Sequence, residues 1–320
     1  MIKISVVIPC FNVANYIEDT LRSVWNQSGT ADVEIILVDD CSTDNTFQIL
    51  QELQRESPLI VVRNEQNRGV SFTRNRGIEL ASGEIILFLD GDDIYQPGLF
   101  ESLTNQFSAH PNLDMMAFGY LKETANEDQV FLAPQLHLKT FSNQEFLKQF
   151  LTRQVKQCMC SFAVRRAMLI EHQIQFDEAT FSGEDQEFEM RCILKSREIV
   201  YVSEIFFVYK HRNSSFMNHR FQPRRLTSLS IYSRMEQQMQ SEQLLSLSKY
   251  LNTYFALEFF SVLKYCCQGG DATMISQALA FKKVVYKKGY FNFDKQSMVV
   301  GVLKGIFRLH TKSLIYLLKK

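Results

Sequence analysis

The chain has 320 residues, 46% hydrophobic and 22% charged, enough for a catalytic domain of roughly 200 to 250 residues with a smaller appendage. Its 35 Lys and Arg balance 35 Asp and Glu, so there is no global basic field of the kind nucleic-acid binding draws on, and any charged partner must be met by a local patch. Seven scattered cysteines, with no C-x-x-C pair and no paired Cys/His spacing, argue against a zinc framework and for a reducing compartment.

The first 120 residues alternate strand and helix patterns. Ile4 to Ile8 is apolar and β-branched, and Tyr16 to Asn26 carries Ile17, Leu21 and Val24 at helical spacing. Val33 to Val38 predicts a second strand, Thr46 to Arg55 a second helix, and Leu59 to Val62 a third strand. Ser71 to Leu80 (helix), Ile85 to Leu89 (strand), Gly98 to Phe107 (helix after Pro97) and Met115 to Tyr120 (strand) complete the run. This alternation implies an α/β fold with a mostly parallel sheet covered by helices on both faces.

From 121 to 153 the pattern is weaker and polar, and reads as a connecting segment before a strand at Cys160 to Val164. A helix from Glu184 follows, then two strands, IVYV and IFFVYKH. Helix-period segments dominate from Pro223: Arg224 to Gln240, Leu244 to Cys267, Ala272 to Tyr286 and Ser297 to Leu318. The expected organisation is a catalytic domain over 1–220, in two parts at 1–110 and 111–220, with a helical region over 221–320.

In a parallel sheet, ligands bind beyond the carboxyl ends of the strands. Pro9-Cys10-Phe11-Asn12, Asp39 to Asp44, Asn64 to Gly69 and Asp90 to Asp93 each follow a predicted strand, so these clusters should converge on one crevice. Asp90 and Asp92, one residue apart in FLDGDD, can address one hard divalent cation, Mn2+ or Mg2+, while Gly91 permits close backbone approach. A lone D-x-D is more often a turn that caps the next helix.

The ordered motifs SVVIPCFN, EIILVDDCSTDNT and NRGVSFTRNRGIELASGEIILFLDGDD resemble the nucleotide-binding half of the family 2 glycosyltransferases, which have the GT-A fold. The resemblance is strong over about residues 3 to 110 and extends loosely to about 216, and it implies that 1–110 is the nucleotide-sugar side and 111–220 the acceptor side. It implies that Pro9, Phe11 and Asn12 belong to the donor site, with Phe11 stacked on the base, and that Asp39 accepts a hydrogen bond from the base edge. Asp40, Ser42 and Asp44 are then turn and cap residues. Arg74 would approach the base or diphosphate, a solvated helical Arg being the alternative. Asp90 would contact ribose or metal, Asp92 would be the principal metal ligand, and Asp93 a supporting or capping residue.

The same resemblance puts the base that deprotonates the acceptor hydroxyl at Asp185 in FSGEDQEF, where the dipole of the helix beginning there would keep its pKa low. Otherwise Glu184 and Asp185 cap the helix, with Glu187 and Glu189 solvated along it. KHRNSSF is similar to a basic loop in which His211 and Arg212 would cover the diphosphate, although Asn213-Ser214-Ser215 stands where Gly-Ser is common. The implied activity is metal-dependent, inverting transfer from a nucleotide-sugar, a UDP-sugar by preference, to a glycan or lipid-linked acceptor in bacterial surface-polysaccharide synthesis. A nucleotidyltransferase and a non-catalytic sugar-nucleotide binding module are the rivals.

No apolar run reaches the ~18 residues of a membrane span and no leader pattern opens the chain, so the expected location is cytoplasmic. Lys304, Arg308 and Lys312 recur at intervals of four among Val300, Leu303, Phe307, Leu314 and Leu318. That helix would either lie peripherally in an anionic membrane interface or pack its apolar side on the protein.

Overall fold

The computed structural model describes residues 2–27, 31–125, 127–211, 223–269, 272–289 and 295–318, without the side chains of 295–297, 309, 310, 312, 313, 316 and 317. Its core is a sheet in the strand order β3 (Leu59–Arg63), β2 (Asp32–Asp39), β1 (Lys3–Cys10), β4 (Ile85–Phe88), β9 (Phe162–Arg165), β6 (Leu113–Lys122), β10 (Glu198–Tyr209), β5 (Ile94–Tyr95). Two short strands, β7 (Gln129–Phe131) and β8 (Lys139–Phe141), pair onto β6 and β10. The first four of the five strands read from the sequence alternation form the parallel group β3–β2–β1–β4, and the fifth, Met115 to Tyr120, lies in β6. Beyond them β9 inserts antiparallel between β4 and β6, so the sheet as a whole is mixed.

The continuous apolar character of the parallel strands has its explanation in burial on both faces. Val6, Val7, Ile8, Ile36, Leu37, Val38 and Ile85 to Leu89 are all completely enclosed. The covering helices are α1 (Ile17–Trp25), α2 (Thr46–Glu56), α3 (Val70–Leu80) and α4 (Leu99–Ala109). Leu50 of α2 and Leu99 and Leu103 of α4 are fully buried.

The part of the chain after residue 110 departs from the sequence reading in three ways. The segment 121–153 is not a plain connection: it holds β7, β8 and α5 (Asn143–Leu151), whose start is a capping box between Ser142 and Glu145. The two strands expected after 198 are one strand, β10, with a register shift between Val202 and Ile205 where Ser203 and Glu204 interrupt the apolar run. Glu187 and Glu189 of α7 (Glu184–Lys195) are buried rather than solvated. Arg234 forks onto both Glu187 oxygens, with Nε donating to Oε1 at 2.6 Å. Burial and the nearby Asp185 carboxylate both push the Glu189 pKa well up.

The short α6 (Arg166–Glu171) precedes α7, and a helical region follows β10: α8 (Ile231–Ser241), α9 (Ser248–Gly269), α10 (Ala272–Ala280), α11 (Lys283–Tyr286) and α12 (Lys295–Leu318). The helix expected over 224–240 begins instead as a 3-10 run, Pro223–Ser230, and that over 272–286 divides into α10 and α11. In α12 Val300, Phe307 and Leu314 are buried, and the Phe307 ring sits edge-on to Phe259 of α9. The apolar side of α12 therefore packs on the protein. Lys304 is itself buried, its Nζ donating to the Lys287 carbonyl at 3.1 Å, and Arg308 donates to the Val285 carbonyl at 2.8 Å. Among the described residues no helix is long and apolar enough to cross a membrane.

Candidate active site

The loops after β1 and β2 are stitched to each other. Asn12, in the left-handed region at φ 55°, accepts from the Thr43 amide at 2.9 Å through Oδ1, and its own amide donates to Ser42 Oγ at 3.0 Å. Asn12, expected in the donor site, thus ties the two loops together through its carboxamide oxygen and its backbone amide. Pro9 lies within β1, paired with Val38. Phe11, between them, keeps 47% of its surface exposed, so it is an available ring and not a core aromatic.

Asp39 is completely buried. Its Oδ2 meets Arg63 Nε at 3.1 Å and accepts from the Ser42 amide at 3.2 Å, while Oδ1 has no hydrogen-bond partner. An unmatched buried carboxylate oxygen is costly unless something arrives to donate to it. Arg63 was not singled out from sequence, though parallel pairing puts it level with Asp39. Asp40 is a structural residue: it accepts from Asn64 Nδ2 at 2.7 Å and from the amides of Arg68 and Gly69 at 2.9 and 2.8 Å, fixing the loop into α3.

The acidic turn sits at the end of β4. A Cβ on Gly91 would come within 3.3 Å of the Pro9 carbonyl and 3.1 Å of Val13, so glycine is what lets this turn lie against the end of β1. Asp90 and Asp92 are both partly exposed, and Asp93 is buried with Oδ1 accepting from the Lys210 amide at 2.8 Å. That last bond brings the exit of β10, and with it the exposed His211, to the edge of the turn. Arg212 and residues 213–215 lie outside the described residues.

Arg74 joins this turn to the start of α7. It is 2% exposed, not solvated, and donates from Nη2 to Asp90 Oδ1 at 2.8 Å and from Nη1 to Asp185 Oδ1 at 2.5 Å. The Phe176 ring lies 5.4 Å below the guanidinium and stacks on Phe188 at 3.9 Å, an aromatic floor for the crevice. Gly183, the N-cap of α7 at φ 85°, has Ile231 and Ser228 against it, and a Cβ there would approach Ile231 to 2.8 Å. Only glycine satisfies both constraints, which sets the point where α7 begins and where Asp185 projects.

The electrostatics of this helix start correct the dipole argument. Burial raises the Asp185 pKa, Arg74 pulls it down, Asp90 pushes it up again, and the net displacement is upward. Desolvation and a neighbouring carboxylate outweigh a helix terminus worth typically ~0.3–1 kcal/mol. Glu184 is pushed up to about 8 by burial and by Asp185. At neutral pH the folded protein then holds a proton on Glu184 that the unfolded chain releases. Stability contributed by this group is complete below the ordinary Glu range and declines as pH rises toward 8. Glu184→Gln is expected to remove that decline, raising the melting temperature at pH 8 more than at pH 5, as scanning calorimetry would measure.

A divalent cation of the Mg2+ or Mn2+ type requires hard oxygen ligands. Asp90, Asp93 and Cys160 present ligand atoms within 4.8 Å of one another. Burial, with Asp90 and Asp93, keeps the Cys160 thiol protonated, and sulfur is in any case a soft donor for these ions. Arg74 engages Oδ1 of Asp90 alone, and Asp92 lies two residues on in the same turn. The carboxylates of this turn therefore fit a hard cation whose shell is completed by water and phosphate.

Residues 5–173 match the profile of Glycosyl transferase family 2. The chain is similar to the uncharacterized glycosyltransferase EpsJ of Bacillus subtilis (strain 168), 27% identical over 228 residues, which are 69% of this chain and 64% of EpsJ. It is also similar to the poly(ribitol-phosphate) beta-N-acetylglucosaminyltransferase TarS of Staphylococcus aureus (strain Mu50), 26% identical over 269 residues, 80% of this chain and 45% of TarS. Among solved structures, S. aureus TarS 1-349 in complex with UDP-GlcNAc superposes with a TM-score of 0.78 at 19% identity, covering 99% of this chain and 90% of that one. The mannosyltransferase PcManGT from Pyrobaculum calidifontis, in complex with GDP-Man and Mn2+, superposes at 0.56 with 14% identity, covering 98% and 84%.

Proposed function

The chain belongs to Glycosyl transferase family 2, and we propose that it moves a sugar from a UDP-sugar to a glycan or lipid-linked acceptor in bacterial surface-polysaccharide synthesis, with a divalent cation and with inversion. The reading would place the reaction at the cytoplasmic face of the membrane. Its main support is the convergence of Asp90 and Asp185, 95 positions apart in sequence, on the one buried guanidinium of Arg74. A donor-side carboxylate and a proton acceptor thereby share one crevice at the carboxyl ends of the parallel strands. UDP-GlcNAc and Mn2+ occur with relatives of the same fold.

In this mechanism the base of the donor stacks on Phe11, and the open Oδ1 of Asp39 accepts from a base N–H, which suits the imide of uracil. Gly91 lets the ribose and diphosphate come close to the backbone, and His211 stands at the rim. Mn2+ or Mg2+ held by Asp90 and Asp92 would neutralise charge on the diphosphate. Asp185 accepts the proton of the acceptor hydroxyl as that oxygen attacks the anomeric carbon from the side opposite the leaving nucleotide, and this single displacement inverts the centre.

Screening UDP-, GDP- and dTDP-sugars for thermal stabilisation, with Mn2+ and with chelator, tests the donor and metal together. UDP-sugars are expected to stabilise most, and only with metal. Asp92→Ala is expected to lose the metal-dependent stabilisation and about 100-fold in turnover. An Asp92→Ala protein that responds to Mn2+ plus donor as the parent does would remove Asp92 from the metal site.

A further inference from the structure

Charge is unevenly distributed along this chain. From residue 272 to the C-terminus ten Lys and Arg stand against one Asp, although the whole chain is balanced at 35 and 35. The densest part is FKKVVYKK, Phe281 to Lys288. Val284 and Val285 of α11 are buried, which anchors the segment and turns the other residues outward. Phe281 is 36% and Tyr286 52% exposed, and Lys282, Lys283 and Lys288 are exposed beside them. On α12, packed beside α11, Met298, Val299 and Val302 face solvent at 49%, 43% and 61%. A cleft of about 410 Å3 opens next to Phe281 and Lys283 and is floored by Tyr232, Phe255 and Phe259. The stripe of basic residues on α12 does not serve this surface: Lys304 and Arg308 are turned to the carbonyls at the end of α11, and the side chain of Lys312 lies outside the described residues.

We propose that the α11 segment, with the exposed apolar residues of α12, is a docking surface for an anionic lipid bilayer. Three lysines free of carboxylate partners among the described residues supply charge complementary to lipid phosphates. The two exposed aromatic rings, Phe281 next to Lys282 and Tyr286 between Lys283 and Lys288, match the headgroup level, where amphipathic rings concentrate, and the Met and Val side chains supply the apolar contact. An acidic polymer is a poorer match, because the rest of the chain carries the compensating excess of acid and a bilayer meets one face only. The purpose of such docking, access to a membrane-linked acceptor, rests on the function proposed above, but the binding itself requires no acceptor.

The test is flotation of the full chain with vesicles of phosphatidylcholine alone and of phosphatidylcholine with phosphatidylglycerol, at low and high salt. Binding is expected only with phosphatidylglycerol and is expected to weaken as salt rises. The triple variant Lys282→Gln, Lys283→Gln, Lys288→Gln is expected to bind roughly 100-fold more weakly, at about 1 kcal/mol for each lysine near the surface. Its melting temperature and its turnover with a water-soluble acceptor are expected to match the parent, which separates this surface from the catalytic reading. No binding at low salt, equal binding to neutral vesicles, or equal binding by the triple variant would overturn the proposal. So would self-association without vesicle binding that Tyr286→Ser abolishes, since the patch would then meet a second copy of the chain.

Discussion

Asp185→Asn is expected to lose roughly a thousandfold in turnover while binding the donor nearly as the parent does. The amide is isosteric, its oxygen can still accept from Arg74 Nη1, and the geometry at the start of α7 is set by Gly183 and not by this side chain. What disappears is the lone pair able to take a proton. The upward displacement of the Asp185 pKa suits a base, because it strengthens proton affinity while Arg74 limits the rise. Activity of the parent should accordingly fall as pH drops through a midpoint above the ordinary Asp range. In the parent, burial and then the Asp185 charge push the neighbouring Glu184 up to about 8, so Asp185→Asn removes one of the two causes and lowers the Glu184 pKa. Residual turnover of the variant that grows with pH and vanishes when Glu184→Gln is added would identify Glu184 as the group acting in its place. Calorimetry with donor, alongside steady-state assays, checks both halves of the expectation, and normal turnover in Asp185→Asn would reject Asp185 as the base.

The parts of this site that can be read from sequence are those built by local periodicity. Strands β1 to β4 and helices α1 to α4 are each long enough, and apolar enough, for their patterns to decide their type, and their order then sends Phe11, Asp39 and Asp90 to one edge of the sheet. The Arg63 contact to Asp39 was within reach too, since both residues end adjacent parallel strands. What stays hidden depends on long-range pairing. Strands β7 and β8 have three residues each and exist only because β6 and β10 offer edges to them. Ser203 and Glu204 look like a break in β10 and are a bulge. Glu187 reads as a solvated helical charge because its partner, Arg234, is 47 positions away. The same holds for Arg74, whose two partners lie 16 and 111 positions on.

That double contact makes Arg74→Gln the most informative second change. Burial alone would lower the pKa of a guanidinium, but Asp185 and Asp90 raise it, so the charge is permanent. Removing it leaves two carboxylates facing each other across the crevice. Each keeps about a third of its exposure, 34% for Asp90 and 39% for Asp185, so the loss of stability should fall below the 3–5 kcal/mol of a fully buried pair, at roughly 2 kcal/mol. The functional loss should be larger than that figure suggests. Without Arg74 the Asp185 pKa rises further, and the fraction ionised at neutral pH shrinks, while Asp90 loses the contact that orients it in the turn. Arg74→Lys separates these effects: it keeps the charge, but one ammonium cannot reproduce a fork that reaches both carboxylates. The expected order of turnover is parent, then Lys, then Gln, with the acid limb of the pH–rate profile moved upward most in Gln. A purely structural Arg74 would lower the melting temperature of both variants and leave that limb where it is in the parent.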